Sequence, residues 1–340
     1  MALFCAELRD FAAWGKLRKL SALTASELDR HGAEYLDHLF FGGYQAERGE
    51  KLLAALQALH PELGTAATGS LPLMRAGMRG FRKLAHGYSR TPLVLEAVHA
   101  IIGQLAATQR LDMARAILVS WDACLRLPSD LVRMTGASWV APVAGLAGNR
   151  WGLLLYPEEQ DTRSKTTQFD ESVMLDHPVI RSLGNIWKQK IKAAGPTGAF
   201  WDFTDTKFTR AFNDTILQLG LPPTTVAYQL RHGAASYAAL QGTRSLAEIQ
   251  RRLRHASPVS TQRYEKHTRY LAEVGKLTPE LRGYAAWVDS RLRGLLLGTT
   301  SAITFREFCS ANHLVHNRAL STSSGPPAKR QRTVGNLSSS

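Results

Sequence analysis

Acidic residues are scarce in this chain of 340 residues: 28 aspartates and glutamates stand against 42 lysines and arginines. The resulting net charge of +14 argues for a polyanionic partner. A well-solvated surface with surplus lysine and arginine is the plainer alternative. Cysteine is scarcer still. Cys5, Cys124 and Cys309 are far apart and form no CxxC, which excludes a disulfide scaffold and a zinc ribbon and suits a reducing compartment. No apolar run approaches the ~20 residues of a membrane span, so no membrane partner is expected. The start, Met1 to Asp10, is too short and too quickly charged for a signal peptide. Strand-like alternation is missing before about residue 135.

With 44% hydrophobic and 21% charged residues, the chain can build a core, and its length fits one large or two ordinary domains. The first part reads as helical. Thr24 to Glu27 fits a capping box, and Leu28, Tyr35, Leu36 and Leu39 follow at helical spacing. Leu52, Leu53, Leu56 and Leu59 repeat the pattern and stop at Pro61. A basic stretch then carries Arg75, Arg79, Arg82, Lys83 and Arg90, with Phe81 and Tyr88 between them. Such a mixture can lie along a phosphate backbone or form a solvated helix face. Thr91-Pro92 begins a new helix, and the domain boundary is placed there.

Met113 to Met134 reads as one helix with Trp121, Leu125 and Leu131 in the core. Trp139 to Val143, Trp151 to Tyr156 and Glu171 to Leu175 read as strands, giving a small antiparallel sheet. The polar turn Asp161 to Gln168 joins the last two and holds Lys165. Thr278 to Leu297 is amphipathic, with Leu281, Tyr284, Val288, Leu292 and Leu295 on one face. From about Ser301 a tail rich in serine, glycine and proline reads as disordered. Its cluster Lys329 to Arg332 reads either as a short nuclear-import signal or as added DNA affinity.

The segment from Arg231 to Tyr264 concentrates chemistry. Arginines clamp phosphate oxygens in bidentate fashion. A histidine exchanges protons near neutral pH, and a tyrosine hydroxyl serves as a nucleophile. Here Arg231-His232 precedes His255, and Tyr264 stands nine positions after that histidine. Residue types of this kind equip phosphoryl transfer without a metal.

Leu230-Arg231-His232, then Leu253-Arg254-His255-Ala256-Ser257, then Arg263-Tyr264, resembles the last third of a tyrosine recombinase (phage-integrase-like) catalytic domain, of the kind carried by eukaryotic mobile elements. Arg254 stands where that family usually has glycine. The resemblance implies a mainly α fold: a helical core-binding domain over 1–90 and a mostly helical α/β catalytic domain with a small antiparallel sheet over 91–275. A C-terminal helix over 276–300 either docks on a neighbouring subunit or closes its own domain, and 301–340 is the tail. The two domains would close as a clamp on double-stranded DNA. Two duplexes joined by recombination imply a homo-tetramer.

The resemblance also assigns roles. Arg126, about a hundred positions before Arg231, takes the place of a first catalytic arginine. Lys165 takes that of a hairpin lysine acting as general acid. Tyr228 occupies a position that is usually histidine or lysine, and as a phenol it is a poor base at pH 7. Arg231 and His255 would hold the phosphate, and Tyr264 would form a 3′-phosphotyrosine. No metal or other cofactor is implied. Arg251 and Arg252 read as phosphate contacts, together with Arg75, Arg79, Arg82, Lys83 and Arg90. His232 reads as a buried structural histidine, since neighbours on a helix point about 100° apart. The alternatives are a type IB topoisomerase-like enzyme and a catalytically silent DNA-binding relic. The compartment follows the source: nucleus in a eukaryote, otherwise cytoplasm or nucleoid.

Overall fold

The computed structural model describes residues 5–21, 24–60, 71–85, 90–127, 129–157, 171–262, 264 and 266–314. The chain divides between Ser89 and Arg90 into two compact units.

The first unit has four helices: α1 (Cys5–Leu17), α2 (Ala25–Phe41), α3 (Ala46–Leu59) and α4 (Pro72–Leu84). The capping box is present: Thr24 Oγ1 accepts from the Glu27 amide, and the Glu27 carboxylate accepts from the Thr24 amide. Trp14, Tyr35, Leu36, Leu39, Leu52, Leu56, Met74, Met78 and Phe81 form the core. Asp29, buried on α2, accepts from the Leu73 and Met74 amides at 2.9 Å each. A carboxylate thus satisfies two orphan donors at the start of α4 and sits where the helix dipole favours it.

The second unit holds the remaining elements. They are α5 (Leu95–Ala107), α6 (Leu111–Asp122), β1 (Trp139–Val140), β2 (Gly152–Leu155), β3 (Glu171–Met174), α7 (Pro178–Ser182), α8 (Gly184–Ala194) and α9 (Asp205–Gln218). Then come α10 (Gln229–Leu240), α11 (Leu246–Leu253), α12 (Pro258–Gln262), α13 (His267–Gly275), α14 (Pro279–Asp289), α15 (Leu292–Leu297) and α16 (Phe305–Ala311). The sheet is antiparallel in the order β1-β2-β3, with Trp139 opposite Leu153 and Leu155 opposite Glu171. Trp139 stacks between Trp187 and Phe200 at 4.8 and 4.5 Å, which fixes the sheet on α8.

Four expectations need correction. The first strand has two residues, not five. The helix of the boundary segment begins at Leu95, because the Leu93 amide is taken by the Gln229 carbonyl at 3.2 Å. The helix expected to run to Met134 stops at Asp122. Cys124 takes a left-handed φ of 49°, its amide bonds the Trp121 carbonyl, and the Leu125 amide bonds the Ser120 carbonyl. That is a Schellman stop with cysteine where glycine is usual. Finally, the expected disordered tail begins with an ordered helix. In α16, Thr304 and Glu307 make a capping box, and Phe305 and Phe308 are buried against Tyr284.

The amphipathic face after Thr278 is spent inside this unit. Leu281, Tyr284, Val288, Leu292 and Leu295 are all buried. The approach to α5 is close enough that a Cβ on Gly103 would lie 2.3 Å from Val288 Cγ2. These helices therefore close their own unit.

Candidate active site

Four turns and helix ends bring the site together. Arg126 follows the stop of α6. Arg231 lies in the first turn of α10, and Tyr228 just precedes it. His255 follows the end of α11, and Tyr264 follows α12. Helix α10 is seated closely: a Cβ on Gly233 would come 1.8 Å from the Leu93 carbonyl oxygen, so only glycine fits.

Arg231 is 1% exposed. Its Nη1 donates to the Cys124 carbonyl at 2.6 Å, and Nη2 donates to the Leu253 carbonyl and to His255 Nε2 at 3.2 Å. Those carbonyls terminate α6 and α11, so two negative helix ends hold this cation. Its Nε finds no acceptor among the described residues. Arg126 lies close by. Its amide donates to Asp130 Oδ2 at 2.7 Å, its Nη1 pairs with Glu171 at 3.4 Å, and its Nη2 donates to the Arg254 carbonyl at 3.3 Å.

Arginine can only donate, so His255 Nε2 is the acceptor and the ring proton sits on Nδ1. Nδ1 then donates to Thr261 Oγ1 at 3.1 Å. Burial, and then the charges of Arg231, Arg126 and Arg254, push the His255 pKa down to about 4. The ring is neutral at pH 7.

The Tyr264 hydroxyl lies 2.8 Å from the Tyr228 hydroxyl. Its ring stacks on His232 at 4.1 Å, and its carbonyl accepts from Ser236 Oγ at 2.5 Å. The Arg231 guanidinium is 5.8 Å from the ring centroid. Burial, then the hydrogen bond to Tyr228, raises the Tyr264 pKa, while Arg231 pulls the other way. Arg90 lies over the Tyr228 ring at 4.7 Å. His232 is buried, as its sequence position suggests, yet it forms the bed of the Tyr264 ring.

Burial, and then the positive charges of Lys266, Arg90 and Arg231, push the His232 pKa down to about 3. The unfolded chain therefore binds protons at His232 and His255 that the folded chain refuses. Their stabilising contribution is full above the unfolded value near 6.5 and is lost as pH falls toward about 3 and about 4. At pH 5 the loss is at most about 2 kcal/mol per ring. The melting temperature should drop between pH 7 and pH 5. His232→Phe keeps the stack and should flatten the drop; an unchanged pH dependence in that variant would remove His232 from the account.

The other sequence-marked residues fall in several places. Arg79 and Lys83 are exposed on α4, Arg75 is half-buried there, and Arg82 pairs with Glu50 at 2.7 Å. Arg251 is exposed. The Arg252 side chain is 10% exposed and engaged with the Asp122 carbonyl and the Asp176 carboxylate. Lys165, in the connection from β2 to β3, and the cluster Lys329 to Arg332 lie outside the described residues. Tyr270 is buried and its hydroxyl accepts from the Leu95 amide at 2.8 Å, so it is no rival nucleophile. Sequence reasoning missed Asp130, Glu171, Ser236 and Thr261. Among the described residues no group of histidine, cysteine or carboxylate side chains could hold a metal, and no helix is long and apolar enough to cross a membrane.

Among solved structures, the chain is similar to the XerH site-specific recombinase bound to palindromic difH substrate in a post-cleavage complex. The TM-score is 0.51 at 18% identity, over 73% of this chain and 72% of that one. The XerA recombinase aligns with 80% of this chain and 98% of its own, at 16% identity and a TM-score of 0.37. The likeness to XerH is one of fold: mostly helical, with a small antiparallel sheet. No family model and no curated protein matches the chain.

Proposed function

We propose that this chain is a site-specific DNA recombinase that cuts and rejoins strands through a 3′-phosphotyrosine. One observation carries the reading: a tyrosine hydroxyl shares a pocket with a buried, carbonyl-held Arg231 whose Nε is still free to donate. Buried donors of this kind are satisfied by an anion. The XerH structure, bound to its difH substrate after cleavage, supports DNA as the partner.

In the proposed reaction the Tyr264 oxygen attacks the scissile phosphorus as its proton passes to solvent. The phosphorus–5′-oxygen bond breaks, and Lys165 protonates the departing oxygen. Arg126 and Arg231 stabilise the charge that builds on the non-bridging oxygens. His255, neutral in the free protein, gains a proton when the phosphate arrives and then donates to it. A 5′-hydroxyl from a second strand reverses the attack and joins the exchanged ends. Four copies on two duplexes complete the exchange. The exposed Arg79, Lys83 and Arg251 would contact phosphate backbone.

The test is a nicked duplex carrying a site selected by the protein from a random pool. A covalent protein–DNA band on a denaturing gel is expected. Its absence sinks the reading and leaves a silent DNA-binding relic. Relaxation of a supercoiled plasmid without two-site recombination would favour the topoisomerase-like alternative.

Tyr228 makes a further result expected. A phenol near its ordinary pKa of about 10 accepts a proton poorly at pH 7. With the Tyr264 pKa raised, attack should wait for solvent to take the proton. The cleavage rate should climb up to ~10-fold per pH unit from pH 6 to 9. Tyr228→His should raise the neutral rate and flatten the profile. Identical profiles for the two proteins would take Tyr228 out of the proton transfer.

A further inference from the structure

Arg254 departs twice from what its position asks. Its backbone is left-handed, at φ 53° and ψ 46°, where glycine sits without penalty. Its amide and that of His255 close the Schellman stop of α11 on the Arg251 and Gln250 carbonyls. The side chain, 4% exposed, runs inward to Asp130 Oδ2 at 2.6 Å and to Glu171 Oε2 at 3.1 Å. It also donates to the Arg252 carbonyl at 2.9 Å.

The same two carboxylates hold Arg126. Asp130 accepts the Arg126 amide, and Glu171 faces the Arg126 guanidinium. The Arg254 carbonyl accepts from Arg126 Nη2 as well. Asp130 takes a further hydrogen bond from the Tyr156 hydroxyl at 2.8 Å. Three guanidiniums, of Arg126, Arg231 and Arg254, thus meet two buried carboxylates, and one positive charge is left for a phosphodiester. Without Arg254 the count is two against two. Glu171 would then compete with the phosphate for Arg126, in a setting where neighbouring charges interact strongly.

We infer that Arg254 is a positioning residue: it neutralises Asp130 and Glu171, which frees Arg126 for the phosphate, and it fixes the turn that presents His255. The inference rests on the site described above binding phosphate, whether or not strands are cut there.

Two readouts on the full chain keep those apart. Orthophosphate binding by calorimetry at low ionic strength reads the anion site alone, and adduct formation on the nicked duplex reads the chemistry. Arg254→Gly, which suits the backbone, should weaken orthophosphate binding by ~10-fold or more. Adding Glu171→Gln removes the competing carboxylate and should restore binding to within ~3-fold of wild type. Arg254→Lys should fall between. A packing role alone would not be rescued by the second substitution. If Arg254→Gly fails to fold, the double variant and Arg254→Lys carry the comparison.

The inference is overturned if Arg254→Gly binds orthophosphate like wild type. It is overturned equally if the double variant, folded by circular dichroism, stays below a third of the wild-type affinity. Wild type that binds no orthophosphate overturns it too. Wild type that binds orthophosphate and forms no adduct sinks the strand-cutting reading and leaves this one standing.

Discussion

Arg231→Ala should lower cleavage by ~10²–10³-fold or more and destabilise the second unit by ~3 kcal/mol or more. The two effects have separate causes. Cleavage suffers because the guanidinium is the donor set nearest the tyrosine ring, and charge stabilisation at the phosphate depends on such donors. Stability suffers because Cys124 and Leu253 carbonyls lose a buried donor, and each orphaned group costs about 1–3 kcal/mol. The void left by a fully buried long side chain adds to that. Arg231→Lys separates them. It keeps the charge and part of the volume, so it should fold. One ammonium cannot reach two carbonyls, His255 and a phosphate in fixed directions, so cleavage should still fall. Urea unfolding and single-turnover adduct formation measure the two effects. Folded Arg231→Lys cleaving within ~3-fold of wild type would show that Arg231 acts as charge alone.

Much of this site is legible in the sequence because its chemistry is local. Arg231, His255 and Tyr264 fall within one short stretch, and their spacing survives folding as contacts of rings and guanidinium. The mostly helical fold with its small sheet follows from periodicity and capping boxes in the same way. The exceptions share a cause. Cys124 and Arg254 occupy left-handed positions that composition does not flag, because glycine is the usual marker. The partner that explains Arg254, Asp130, is 124 positions away in the chain. Arg252 reads as a surface charge until Asp122 and Asp176 are seen beside it. An amphipathic face, as on α14, says that something covers it but not what. The α16 capping box was in plain view at Thr304 and Glu307, and was masked by the polar composition that follows it.

Tyr264→Phe should keep the fold and lose the covalent adduct entirely. Phenylalanine preserves the stack on His232 at 4.1 Å and leaves the carbonyl bonded to Ser236. Only the hydroxyl goes, and with it one hydrogen bond to Tyr228, worth about 0.5–1.5 kcal/mol. Binding to DNA should persist, since the exposed basic residues are untouched. The informative complication is Tyr228. Its hydroxyl lies 2.8 Å from that of Tyr264, so it is the hydroxyl best placed to take over. Takeover requires reaching in line with the leaving oxygen from the far side of Arg231, and the stack of Arg90 on the Tyr228 ring opposes that swing. Tyr270 is excluded by burial and by its bond from the Leu95 amide, which leave its hydroxyl no path to a phosphate. The measurement is a denaturing gel with the nicked duplex for wild type, Tyr264→Phe, and Tyr264→Phe with Tyr228→Phe. No adduct in either variant is expected. Adduct in the single variant that vanishes in the double would make Tyr228 a second nucleophile. Adduct that survives in both would move the nucleophile out of this pocket and take the proposed mechanism with it.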